Sequence, residues 1–327
     1  MKTQIDVAKA TGVSLKTVSR VVNGDTSVKP RTRAKVEKAM RDLGYEPNIA
    51  AQVMRSKKSN VIGFLADGVA MSNSSIDLIR GAQDMAWELG KQMMLFNIDA
   101  GGQAKAMAET QLRQFRAEAV IYATVYHRPI SISSATPRIM LNCYDPAGQH
   151  PAFVPDDQQM ALDLMRRVFA KGYSRPFFLN LSDDHDAAIL RRQGYLQAGR
   201  ERGLDLSGRV APALERTESG HVFVIDEVLT PLLSGERPDI LICGQDLMAI
   251  DVYLLLEHAG LRVGRDIGVA SFDDQILVTH HLRPGLSTVA LPYYEMGRTA
   301  MEAACAETPP PPVITRVPGT FISRVSF

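Results

Sequence analysis

Residues 5–24 read IDVAKATGVSLKTVSRVVNG, and this stretch holds two short helical patterns separated by a turn. Ile5, Ala8 and Thr11 recur at helical spacing and form one face of the first helix. Gly12 supplies a conformation that other residues resist. Ser14 is placed to cap the second helix by accepting from a freed backbone N–H. Val18, Val21 and Val22 give that helix its buried stripe. The opposite face carries Leu15, Lys16, Thr17, Ser19 and Arg20, which are four donors and one apolar tip. Two helices joined by a tight turn, the second donor-rich on its outer face, make a helix-turn-helix suited to the major groove of DNA.

The remainder of the chain supports a small module on a larger body. Its 327 residues suffice for two or three domains. Net charge is +1, but residues 1–60 hold 13 basic and five acidic side chains (+8), while the rest holds 24 basic and 31 acidic (−7). A basic module on an acidic body fits a polyanion binder with a separate ligand domain. No apolar run follows Met1 or approaches about 18 residues, so neither export nor membrane insertion is expected and the protein reads as cytoplasmic. Cys143, Cys243 and Cys305 are scattered and odd in number, as reduced core thiols would be, and suggest neither a disulfide nor a zinc framework.

Pro30 suits the first position of a third helix, with Val36, Ala39, Met40 and Leu43 as its apolar face and Gly44 as its stop. Tyr45-Glu46-Pro47-Asn48 breaks the chain, and Asn48 can cap a short helix, IAAQVMR, before the Ser56–Asn60 linker. From Val61 the pattern changes. VIGFLA, QMMLFNI, AVIYAT, RIMLNC, PFFLNL, DILICG and IGVASF are short apolar runs, alternating with amphipathic segments such as IDLIRGAQDMAWELG, QMALDLMRRVFAKG, AILRRQGYLQAGRERG and LMAIDVYLLLEHAG. Apolar strands between such helices predict parallel sheets covered on both faces. There are too many strands for one comfortable sheet, so the expected class is α/β, with a small all-α headpiece and a two-lobed body. A Pro-rich stretch, Thr308–Pro312, reads as a stiff connector before the last crossover.

These motifs resemble the lactose-repressor (LacI/GalR) family of bacterial transcription regulators, most closely over Ile5–Gly63 and more loosely to the end of the chain. The resemblance implies a helix-turn-helix headpiece over 1–45, a hinge over 46–60 and, over 61–327, an effector-binding and dimerisation body like a periplasmic binding protein. It implies base contacts from Leu15, Lys16 and Arg20, with Arg20 donating a bidentate pair to guanine O6 and N7. Thr17, Ser19 and Asn23 would meet phosphates. Asn48 would start a hinge helix too short to be stable alone, from which Met54, standing for the family's Leu, wedges into the minor groove beside Arg55. Lys29 replaces the usual capping Ser before Pro30, at a small cost in stability. The partners implied are a pseudo-palindromic operator, a second copy of the chain and a small effector, with no membrane.

Carried over residue by residue, the effector cleft comprises Asp67, Asn73, Ser74, Tyr126, Asp156, Arg191, Gln245, Asp246 and Asp273. Gln245 stands where the family has Asn. Carboxylates, amides, one Arg and an aromatic wall are the chemistry of hydroxyl-rich ligands, so a sugar is the expected effector and a purine or nucleoside the alternative. A sugar-binding transport protein would need a signal peptide in place of the basic headpiece. No Walker, Rossmann or nucleophile-elbow motif occurs, and no cofactor or enzyme activity is expected. Asp183-Asp184-His185-Asp186 lacks a second His at metal spacing and reads as a solvated loop that starts a helix, not a metal site.

Overall fold

The structure is a computed structural model. It describes residues 2–22, 24–46, 59–69, 75–98, 102–132, 136–183, 185–217 and 220–327. The proposed hinge helix and wedge, with Asn48, Met54 and Arg55, lie outside the described residues, as do Asn23, Asn73 and Ser74. The chain divides into two compact units, Met1–Ser59 and Asn60–Phe327.

The first unit holds α1 (Gln4–Thr11), α2 (Leu15–Val22) and α3 (Pro30–Leu43). Val7, Val18, Val21 and Val36 form its core, with Ala8, Ala39, Met40 and Leu43 packed against them. The expected face of α1 needs one correction. Ile5 is 54% exposed, and the inward positions are Val7 and Thr11, whose hydroxyl donates to the Val7 carbonyl. A capping box between Thr3 and Asp6 fixes the start of α1. Gly12 adopts φ 64°, and the Ser14 hydroxyl accepts from Thr17 N–H at 3.1 Å, as anticipated. Lys29 precedes α3 without a side-chain cap, and Pro30 and the left-handed Gly44 bound that helix.

The second unit carries two six-stranded sheets. The first contains β1 (Val61–Asp67), β2 (Gln92–Ile98), β3 (Ala119–Pro129), β4 (Arg138–Tyr144), β5 (Ala152–Pro155) and β13 (Ile314–Val317), all parallel, in the order β2-β1-β3-β4-β5-β13. The second contains β6 (Pro176–Asn180), β7 (Val210–Pro212), β10 (Ile240–Cys243), β11 (Gly268–Asp273), β12 (Ser287–Ala290) and β14 (Thr320–Ile322), in the order β7-β6-β10-β11-β12-β14, with only β14 antiparallel. The strand order thus repeats between lobes although the sequence shows no repeat. β8 (Leu214–Thr217) and β9 (Gly220–Phe223) form a separate hairpin. In such sheets ligands bind beyond the carboxyl ends of the strands, where the order reverses.

The helices of the body are α4 (Ile76–Glu88), α5 (Gln103–Gln114), α6 (Asp157–Ala170), α7 (Asp186–Glu201), α8 (Ile225–Ser234), α9 (Asp246–His258), α10 (Ile276–Thr279) and α11 (Tyr293–Cys305). The chain crosses between lobes after β5, β12 and β13. At the first two crossings the helix belongs to the lobe just entered: α6 packs on α7, and α11 on α4. Both packings bring backbones together through glycine. A Cβ on Gly194 would strike the Gln158 carbonyl, one on Gly297 the Leu78 carbonyl, and one on Gly81 the Tyr294 carbonyl. Overpacking of this kind displaces main chain and costs about 1–3 kcal/mol or more. Gly194→Ala and Gly297→Ala are therefore each expected to lower body stability by at least that amount in urea unfolding. Gly208→Ala, where a Cβ meets nothing, serves as the neutral comparison.

Candidate functional site

Two surfaces carry chemistry, one in each unit. On the headpiece, burial of Val18 and Val21 turns the other side of α2 outward. Leu15 is 47% exposed, Lys16 and Arg20 are exposed, and Thr17 and Ser19 are half-buried. Thr17 also shares a 2.9 Å hydrogen bond with the Ser14 hydroxyl. The predicted face is thus assembled, with Lys16 and Arg20 as its long donors.

In the body, a small cavity of about 20 Å³ lies between the carboxyl ends of the two sheets. Tyr126, His127, Asn142, Asp157, Arg191, Gln245, Asp273 and Tyr293 are among its lining residues. That volume holds about one water molecule, so a larger guest must move lining side chains. Tyr126 and His127 reach it because β3 bulges. Between Ala123 and Arg128 it advances five residues while β4 advances two, from Leu141 to Cys143. Asn142 pins this bulge: its Nδ2 donates to the Thr124 and Val125 carbonyls at 3.0 and 2.7 Å. Its Oδ1 is buried and, among the described residues, accepts no hydrogen bond.

A wholly buried charge is Asp157, the first residue of α6, with no side-chain exposure. Its Oδ1 accepts from Arg191 Nε at 2.8 Å, and its Oδ2 lies 3.3 Å from His127 Nδ1 on the other lobe. Burial pushes this carboxyl up, but the Arg191 charge and the His127 bond outweigh it and hold it below its ordinary value. Arg191 Nη1 donates to the Gly244 carbonyl at 2.6 Å, and the guanidinium lies over the Phe272 ring. Two more contacts join the lobes. Tyr126 stacks on His185 with centroids 4.2 Å apart. Tyr144 bonds to Asp186; burial first, and then this bond, push its phenol up to about 12.

Of the predicted effector residues, Tyr126, Arg191, Gln245 and Asp273 line this cavity, and three others do not. Asp67 is occupied by Arg128 at 2.7 Å and the Tyr122 hydroxyl at 3.2 Å. Asp156 caps α6 by accepting from Gln159 N–H, and its neighbour Asp157 enters the cleft instead. Asp246 is buried behind the cleft, accepting from the Ser271 and Thr288 hydroxyls and from Gln275 N–H. Sequence reasoning missed His127, Asn142, Asp157 and Tyr293. Asn142 lies in the RIMLNC run already read as a strand, but no spacing marked it or Tyr293. In the 183–186 cluster the expected helix start is found, with Asp186 opening α7, but His185 is buried against Tyr126 and not solvated. No metal-holding group of His, Cys, Asp or Glu occurs among the described residues, and no described helix is long and apolar enough to cross a membrane.

Asp273 sits at φ 119°, a backbone conformation that side chains rarely adopt. Burial, and next the charge of Asp246, push its carboxyl up from 3.8 to about 7; burial raises Asp246 in the same direction. A carboxyl whose pKa rises on folding binds its proton more tightly in the native state, so stability falls as pH rises from about 4 to about 7. Asp273→Asn is expected to flatten that fall, read as melting temperature between pH 4.5 and 8. Arg191→Ala acts oppositely. It strands Asp157, and the body is expected to lose about 3–5 kcal/mol at neutral pH.

Two family models match the chain: bacterial regulatory proteins of the lacI family over residues 3–48, and a periplasmic binding protein-like domain over residues 165–327. The chain is 33% identical to the sucrose operon repressor of Escherichia coli over 302 residues, covering 90% of this chain and 91% of that protein. It is 29% identical to the ribose operon repressor of Escherichia coli K12, covering 92% of each. Among solved structures, a lacI-family regulator from Rhizobium etli matches 82% of this chain and 99% of its own, with TM-score 0.76 and 29% identity. The lac repressor dimer bound to operator and an anti-inducer matches 99% and 98%, with TM-score 0.72; at 23% identity that likeness concerns the fold.

Proposed function

The chain belongs to the lacI family of bacterial regulatory proteins, and on that premise we propose that it is a cytoplasmic, homodimeric repressor of sugar-use genes. In this reading α2 reads one half-site of a two-fold operator, a small neutral carbohydrate enters the cleft, and the chain catalyses no reaction. Relatives named for sucrose and ribose operons support the carbohydrate. The observation that carries the ligand is the buried Asn142 Oδ1, an acceptor without a partner among the described residues on a side chain that lines the cleft. A ligand hydroxyl would satisfy it, beside Asp273, Gln245 and the remaining Nη2 of Arg191.

Coupling follows from thermodynamics. A ligand shifts the DNA equilibrium only through different affinities for two states of the body. A guest larger than the small cavity must disturb the Tyr126–His185 stack or the His127–Asp157 bond, which span the lobes. The test is a thermal-shift series with sucrose, its component hexoses, ribose and adenosine. One sugar is expected to stabilise the body by about 2.7 kcal/mol at a hundred times its dissociation constant, and to change operator affinity in a binding titration. Arg20→Ala should cost about 1–3 kcal/mol at the operator and leave the sugar shift intact. A shift with adenosine alone would replace the sugar, and turnover of the sugar would replace the regulator.

A further inference from the structure

Arg20 has a carboxylate beside it. Its Nε lies 3.6 Å from Asp25 Oδ2, with both side chains partly exposed. Asp25 is held in place by contacts independent of that pair. Gly24, at φ 73°, turns the chain back over the end of α2. Gly24 N–H donates to the Val21 carbonyl and Asp25 N–H to the Arg20 carbonyl, at 3.1 and 3.0 Å. This is the bond pair of a Schellman turn. Asp25 Oδ1 accepts from Ser27 N–H at 2.9 Å, and its main-chain carbonyl accepts from Arg33 Nη2 at 2.5 Å. The hydrogen bonds from Ser27 hold the carboxyl below its ordinary value, so it stays ionised.

A fixed negative charge on a face that must approach phosphates opposes binding to any DNA. Its position at Nε supplies a compensating role. It lies beside Nε and leaves the terminal Nη1 and Nη2, the donor pair that fits guanine O6 and N7. It also restricts a long side chain that would otherwise lose its rotamer freedom on binding.

We propose that Asp25 is a positioning residue for base reading, which orients Arg20 toward a guanine and so raises sequence discrimination while lowering general DNA affinity. This rests on the operator-binding reading above. The experiment selects duplexes from a randomised pool with the full-length protein. It then measures affinity for the selected site, for variants replaced at each guanine, and for random DNA, using the wild type, Arg20→Ala, Asp25→Asn and the double variant. Asparagine retains the acceptor for Ser27, so the turn is preserved, and headpiece melting verifies this.

Asp25→Asn is expected to bind random DNA more tightly, while preference for one guanine per half-site falls roughly three- to tenfold, part of what Arg20→Ala removes. In the Arg20→Ala background it should leave the preferences unchanged. Unaltered guanine preference in Asp25→Asn, or a uniform loss on all duplexes together with lower melting, overturns the proposal. If Arg20→Ala itself leaves every guanine preference intact, base reading by Arg20 fails, and the positioning role with it. A pool yielding no preferred site overturns the operator reading itself.

Discussion

Asp157 is ionised, wholly buried and placed where the chain first crosses from one lobe to the other. An unpaired charge in that position would destabilise the fold by several kcal/mol, and three groups of one lobe converge to prevent it. Arg191 on α7 supplies the counter-charge, the Gly244 carbonyl beyond β10 takes a second guanidinium nitrogen, and Phe272 on β11 covers its face. The other carboxylate oxygen remains for His127 of the opposite lobe. The ion pair belongs to one lobe and is permanent, whereas the histidine bond depends on how the lobes meet. On the proposed reading, a ligand hydroxyl would take the place of His127 and leave that ion pair intact.

The second constraint is local strain. Asn142 has a left-handed backbone at φ 55° and Asp273 a positive φ of 119°, conformations that persist only when their surroundings over-determine them. Asn142 is held by the amide that closes the β3 bulge, and Asp273 by a bond from the Gln275 amide. Both strained residues line the same cavity from opposite lobes. The bulge also explains why the reach of β3 was hard to foresee. Three extra residues interrupt the pairing, so the strand was legible as far as Tyr126, while the entry of His127 into the cleft was not.

Much of the architecture was legible because it rests on periodicity. The valine stripe of α2, the glycine turn and the apolar strand runs are patterns of one residue type at one spacing. What escaped depends on phase or on partners. Ile5 and Val7 differ by two positions, and packing against Val18, Val21 and Val36, which lie farther along the chain, selects Val7 as the inward one. Asp156 and Asp157 are adjacent, and the first turn of α6 sends one to its own backbone and the other into the cleft. Arg191 was identified as a cleft residue, but its commitment to Asp157 depends on a contact 34 residues away in sequence. Asp246 and Asp273 both end strands in the sequence pattern, yet the hydroxyls of Ser271 and Thr288 draw Asp246 behind the sheet.

The protonation pattern bears on what the cleft accepts. Asp157 is negative and matched by Arg191, whereas burial and Asp246 push Asp273 toward its neutral form. A neutral carboxyl offers one donor and one acceptor, as a hydroxyl does. Beside it stand an acceptor on Asn142, the amide of Gln245 and the remaining nitrogen of Arg191. Donors and acceptors are therefore mixed, and the positive charge is already balanced. An anionic ligand would find no unmatched cation among the described lining residues and would face Asp157, whose repulsion in a site shielded from water is large. A neutral polyol requires no net charge and can match both kinds of group, which is why the cleft's electrostatics favour an uncharged carbohydrate over a phosphorylated one.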